Sequence, residues 1–175
     1  MTRPAVTKPE VAVVMGSDSD WPLMEPAVKT LRGFGLSCEV RVLSAHRSPG
    51  EAAEFSRLAR RRGLKVLIAA AGGAAHLAGA LAANTTLPVI GVPIKGGMLD
   101  GLDALLATVQ MPAGIPVATV ALGAAGPMNA AILAVQILAV ARPGLREKLE
   151  RHKHDMREKV RKGGKTVRKH AEKIL

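Results

Sequence analysis

The chain has 175 residues, 48% of them apolar, which fits one domain with a substantial core. One Trp, two Phe and no Tyr mean the core must be built from Ala, Val, Leu and Ile, and the single cysteine, Cys38, excludes an intrachain disulfide and suits a reducing compartment. The net charge of +11 is uneven: Ala141 to Leu175 holds 13 Lys/Arg against 5 Asp/Glu, while the rest of the chain holds 12 against 9, so the basicity belongs to the tail.

Met1 to Glu10 lacks the apolar core of a signal peptide and reads as tail up to residue 9. Val11 to Met15 is a continuous apolar run and reads as a buried strand, ending in Gly16-Ser-Asp-Ser-Asp20. A helical pattern follows from Trp21 to Phe34. Glu39 to Leu43 is a second strand, followed by Ser44-Ala-His-Arg-Ser-Pro49 and a helix over Gly50 to Arg62, with Pro49 opening it and Ser48 as its cap. Lys65 to Ala70 is a third strand, and the small, Gly-rich Ala71 to Gly79 leads into more helix. Pro88 to Val92 is a fourth strand, Leu102 to Val109 a helix, Pro116 to Val120 a fifth strand, and Pro127 to Val140 a helix. The charged segment from Gly144 to Lys162 is broken by Gly163-Gly164, with a short helix expected over Lys165 to Leu175. Val66 to Ala71 is the longest apolar run, far too short to span a membrane, so a cytoplasmic protein with no membrane partner is expected.

Apolar strands alternating with helices predict a three-layer α/β/α sandwich around a doubly wound parallel sheet, flavodoxin-like or Rossmann-like. The α/β catalytic domain is expected over residues 10–142 and a basic helical extension over 143–175. In such folds ligands bind beyond the carboxyl ends of the strands. The segments after strands one, two and three sit there.

Each of these segments has chemistry to offer. At Gly16 to Asp20 the backbone can approach a ligand closely, and first-turn N–H groups attract an anion. Ser17 and Ser19 add hydroxyls for a phosphate, and Asp20 suits ribose hydroxyls. The same residues also serve ordinary helix capping. The Arg47 guanidinium forks onto phosphate, and His46 beside it can move a proton near neutral pH. A loop His-Arg pair is also common on plain surfaces. The Ala71 to Gly79 loop can wrap a small group and exclude water, or simply pack a helix tightly on the sheet. His76 fits a structural role as well as a chemical one. The tail lacks interleaved aromatics and any docking motif, so no nucleic-acid partner is expected.

Taken in order, Met15-Gly-Ser-Asp-Ser-Asp-Trp21, Ser44-Ala-His-Arg47, Ala71-Gly-Gly-Ala-Ala-His-Leu77, Pro88 to Pro93, Val109-Gln-Met-Pro112, Gly114 to Val117 and Asn129-Ala130 form a specific set. On these stretches the chain resembles the phosphoribosylaminoimidazole carboxylase catalytic-subunit family, and within it the N5-carboxyaminoimidazole ribonucleotide mutases. The resemblance runs from Val11 to Val140. It implies a homo-octamer acting on a nucleotide, with no metal and no organic cofactor. It implies that Ser17, Ser19 and Arg47 hold the 5′-phosphate, Asp20 the ribose, and that His46 is the catalytic acid/base group. Ser44 and Ala45 would flank the substrate. Ala71, Gly72, Gly73, Ala74, His76 and Leu77 would cover the imidazole and the migrating carboxylate.

The Gly72 to Leu77 loop sides with the mutases rather than with carboxylases that use free carbon dioxide. Direct carboxylation is therefore the nearest rival, and a non-catalytic nucleotide- or nucleic-acid-binding protein the rival of another class. Three departures stand out: Ala78 where the family usually has proline, Lys95-Gly-Gly97 where serine is usual, and Ala124 where lysine is common.

Overall fold

A computed structural model describes residues 8–174. The expected flexible tail lies outside the described residues up to position 7. The chain forms two compact units, the first ending at Ile137 and the second beginning at Leu138.

The first unit is an α/β sandwich. Its strands are β1 (Val11–Met15), β2 (Cys38–Val42), β3 (Val66–Ala71), β4 (Val89–Pro93) and β5 (Ala118–Thr119). All pairings are parallel, in the order β2-β1-β3-β4-β5, with helices on both faces. Helices α1 (Trp21–Gly33), α2 (Pro49–Ala59), α3 (Leu77–Ala82) and α4 (Leu102–Val109) supply the crossovers, and α5 (Ala125–Ala139) follows the last strand.

The apolar runs become strands because a parallel sheet covered on both faces needs side chains without polar atoms in either direction. Every residue of β1 and β4 is buried. Edge strand β2 carries the exception: Glu39 and Arg41 alternate with valines, and Val40 and Val42 are 38% and 52% exposed. Small residues let the helices lie close. A Cβ on Gly91 of β4 would stand 2.3 Å from Thr108 Cγ2 of α4, so only glycine fits at this contact.

Three expectations need correction. The fifth strand is two residues long, because Ala118 and Thr119 alone pair with Ile90 and Gly91, and Pro116 has no N–H to give to the sheet. Ser48 occupies the N-cap of α2 without capping it: its hydroxyl donates to the Ser44 carbonyl and accepts the Ser44 N–H. The tail is not broken at Gly163-Gly164. In the second unit one helix, α6, runs from Pro143 to Ala171. Glycine costs a helix about 1 kcal/mol each relative to alanine but keeps its N–H, so the ladder continues. The Thr166 hydroxyl reaches back across the pair to the Lys162 carbonyl. Among the described residues no helix is long and apolar enough to cross a membrane.

The strand order creates a place for a ligand. From β1 the chain moves outward to β2, then returns past β1 to β3. The two crossovers leave in opposite directions and open a crevice at the carboxyl ends of β1 and β3.

Candidate active site

The turn after β1 is tied down twice. The Gly16 N–H donates to the Ala70 carbonyl at 3.1 Å, joining the end of β1 to β3. Ser17 and Asp20 then form a reciprocal cap around a short 3-10 turn, Asp18–Asp20: the Ser19 N–H donates to Ser17 Oγ at 3.3 Å, and the Ser17 N–H to Asp20 Oδ2 at 3.1 Å. The capping expected of these residues is real, and it leaves one Asp20 oxygen uncommitted. A Cβ on Gly16 would meet only the Ala70 carbonyl, at 3.9 Å, so packing within the chain does not demand glycine there.

The turn after β2 is organised by Ser44. Its Oγ accepts the His46 N–H at 3.3 Å and the Arg47 N–H at 3.1 Å. The Arg47 side chain crosses to the first turn, where Nη2 donates to the Gly16 carbonyl at 2.7 Å. Both partners of this guanidinium are neutral oxygens, Gly16 O and Ser44 Oγ, so its charge is not cancelled by an ion pair.

The turn after β3 is left-handed at two places, Gly73 (φ +59°) and Ala75 (φ +48°). The Ala75 N–H closes it by donating to the Gly72 carbonyl at 3.1 Å. His76 follows directly, and its Nδ1 lies 2.7 Å from His46 Nε2. The two rings meet edge to face, with an interplanar angle of 79°.

Three turns thus enclose one depression of about 400 Å³. Of the residues singled out from the sequence, Ser17, Asp20, Ser44, Ala45, His46, Arg47, Ala71, Gly72, His76 and Leu77 line it. Ser19, Gly73 and Ala74 do not; they are exposed on the outer side of their turns, Ser19 donating to Ser17 Oγ at 2.9 Å. Gly16 and Ala75 line it as well. Gly16 is legible in the sequence as the residue on which the strand ends. No sequence signal points to Ala75, because nothing in an alanine announces a left-handed backbone.

The electrostatics of the depression are mixed. Burial pushes the Asp20 carboxyl above the usual carboxylate range, helped by the nearby Asp18, while the Ser17 N–H and the Arg47 charge pull the other way. The site therefore combines one guanidinium without an ion-pair contact, one partly desolvated carboxyl that feels its charge, and a pair of imidazoles. That set can grip a phosphate, hold a hydroxylated sugar and move a proton beside them. Among the described residues no group of three or more His, Cys, Asp or Glu is placed to hold a metal ion. Cys38 is half-buried at the amino end of β2, away from the turns at the carboxyl ends, and its thiol is pushed up by burial.

Known proteins share this chain's sequence and fold. The AIR carboxylase family model matches residues 10–159. The N5-carboxyaminoimidazole ribonucleotide mutase of Pyrococcus horikoshii is 52% identical over 160 residues, covering 91% of this chain and 89% of that protein. The Mycobacterium tuberculosis protein of the same name is 58% identical over 146 residues, 83% of each. Among solved structures, that of Treponema denticola PurE superposes with a TM-score of 0.77 at 25% identity, covering 87% of this chain and 94% of that one.

Proposed function

The chain belongs to the AIR carboxylase family, and from that premise we propose that it interconverts N5-carboxyaminoimidazole ribonucleotide and 4-carboxy-5-aminoimidazole ribonucleotide in purine biosynthesis. The observation that carries this reading is the convergence of Arg47, Asp20 and His46 on one depression at the β1/β3 crevice.

The residues divide the work by chemistry. Arg47 and Ser17 hold the 5′-phosphate and the free oxygen of Asp20 a ribose hydroxyl, with Ser19 supporting Ser17 from outside through its hydroxyl. This puts the imidazole beside His46. Ala71, Gly72, Ala75 and Leu77 line the recess, with Gly73 and Ala74 forming the outer turn. To these small residues we assign the holding of carbon dioxide against escape to water.

The substrate carries a carbamate on its exocyclic nitrogen. Protonated His46 gives a proton to that nitrogen as the N–C bond breaks and carbon dioxide leaves. Carbon 4 of the ring then attacks the carbon dioxide, forming the new C–C bond. The neutral imidazole of His46 removes the proton from carbon 4 and restores aromaticity. One proton goes out and one returns, so the enzyme ends as it began. Nothing in this cycle requires a metal or an organic cofactor.

The assembly and the compartment belong to the same reading. Leu102, Leu106 and Val109 put an apolar stripe on α4, and with Met98 and Leu99 all five are 45% or more exposed. Such a face supports association with further copies, and we assign a homo-octamer in the cytoplasm. Light scattering should give about eight times the 18.3 kDa of one chain. The activity is tested by giving purified protein the synthetic carbamate nucleotide without added metal or nucleoside triphosphate. Conversion to the 4-carboxy product is expected. Turnover only of aminoimidazole ribonucleotide with bicarbonate would replace the mutase with a carboxylase.

A further inference from the structure

The contact between the two imidazoles assigns His76 a task that the reaction scheme leaves open. At 2.7 Å, His46 Nε2 and His76 Nδ1 cannot face each other as two lone pairs or as two N–H groups, so one proton lies between them. When His46 is charged, both its nitrogens are donors. His76 Nδ1 is then the acceptor, and His76 carries its own proton on Nε2. We propose that His76 is the positioning residue of this site, accepting the Nε2–H of protonated His46 and thereby fixing the ring's orientation, with the Nδ1–H left as the proton that moves. This rests on the reading of His46 as the acid/base group.

No other group in the site is placed to do this. The charged and titratable neighbours are Asp18 and Asp20 on the first turn and Arg47 on the second. Asp20 accepts the Ser17 N–H, Asp18 bonds Ser17 Oγ and the Ser19 N–H, and Arg47 donates to Gly16 and Ser44. The His76 ring is the one hydrogen-bond partner of the His46 ring among the described residues. An imidazole also suits the task better than a carboxylate would. His46 must release its proton and then take one back, and an ion pair would hold the proton too firmly for the first step.

The backbone before His76 is built for aim. Ala75 sits at φ +48°, a left-handed conformation that an alanine rarely adopts. Its side chain is 3% exposed, and Leu77, Ala78 and Leu81 of the following helix are buried in turn. The turn is therefore over-determined by packing on its far side. His76 is the residue held between that strained turn and α3.

The test uses the whole protein with two substitutions. His76→Leu removes the acceptor. His76→Asn keeps an amide oxygen close to where Nδ1 stood. For His76→Leu, kcat should fall about 10–100-fold, the range typical of a lost orienting partner, with KM within about twofold of wild type. His76→Asn should recover most of kcat. In ligand-free protein, 15N-histidine NMR should show a hydrogen-bonded ring N–H between His46 Nε2 and His76 Nδ1, lost in His76→Leu and replaced by a bonded His46 Nε2–H in His76→Asn.

Equal kcat in the two variants, a loss confined to KM, or a His46 ring N–H signal that is the same in wild type and His76→Leu would overturn the proposal. If His76→Leu does not fold, His76→Gln replaces it; its amide lies one methylene out of register and must not restore kcat. The NMR arm needs no substrate. A wild-type protein that fails to turn over the carbamate nucleotide, while the His46 ring N–H signal is still lost in His76→Leu, would refute the proposed reaction and leave the role of His76 standing.

Discussion

Arg47 and Arg62 are both arginines near the β1–β2 half of the sheet, and they are treated in opposite ways. Arg62 bonds the Glu39 carboxylate, shares it with Arg41 at 2.7 Å, and lies over the Phe55 ring at 5.1 Å. Its charge is neutralised on the spot. Arg47 is held by a carbonyl and a hydroxyl, which fix the guanidinium without cancelling it. A fixed cation facing an open depression is ready for an anion. A paired one only ties strand β2 to helix α2. What separates the arginine proposed to bind from the structural one is the charge of what positions it.

The strongest way to break this contrast is at His46, the imidazole next to Arg47 in the chain. His46→Asn should lower kcat by at least about 10²–10⁴-fold, while calorimetry still shows nucleotide binding. Wild-type-like turnover would remove His46 from the reaction. Next is the arginine itself. Arg47→Ala loses charge-assisted hydrogen bonds and should weaken binding of the 5′-phosphorylated nucleotide about 10–100-fold. Arg47→Lys, a point charge without the fork, should fall between. If the dephosphorylated nucleoside lost as much affinity, Arg47 would not be the phosphate ligand.

Asp20 sharpens the comparison from the other sign. Its carboxyl is raised by burial, so at neutral pH the folded state holds an ionised group that it disfavours relative to the unfolded chain. Asp20→Asn should therefore weaken nucleotide binding by several-fold, about one hydrogen bond, without lowering Tm at pH 7. Any Tm advantage of the variant should shrink as acid protonates the wild-type carboxyl. A Tm that drops sharply at pH 7 would make Asp20 a cap first and a ligand second.

How much of the fold and the site is legible in the sequence depends on locality. Val11 to Met15 declares a buried parallel strand by itself, and the turn residues after β1 and β2 carry their chemistry in short consecutive runs. The side chains of Arg47 and Ser44 can be named from the sequence, but not the bond from Arg47 to Gly16, which joins positions 31 residues apart. The His46–His76 contact is further from view, because it depends on a left-handed Ala75 that packing enforces. The tail misleads for the opposite reason. Gly163-Gly164 is a strong local breaker signal, yet a glycine's cost of about 1 kcal/mol is spread over a helix of 29 residues and does not stop it.

The smallest effect lies at the paired arginines and tests the other half of the comparison. Burial by itself would raise the Glu39 carboxyl, but hydrogen bonds from Arg62 and then Arg41 outweigh it and hold the group below its ordinary range. A carboxyl depressed in the folded state stabilises it above the unfolded value, near 4.5, and loses that contribution as pH falls through the folded value. Glu39→Gln should thus lower stability at pH 7 by at most about 1 kcal/mol, since the two arginine side chains are 38% and 55% exposed and screened by solvent. In a domain of this size that is a Tm drop of about 2–4 °C. The difference should shrink as both proteins are melted at progressively lower pH, below about 4.5 and through the folded value, and shrink in high salt. Turnover should not change, because this carboxylate neutralises cations that never meet the substrate. A fall in kcat/KM for Glu39→Gln would mean that the β2 edge and the binding turns share one charge network, and that Arg47 owes its readiness to more than the two neutral oxygens that hold it.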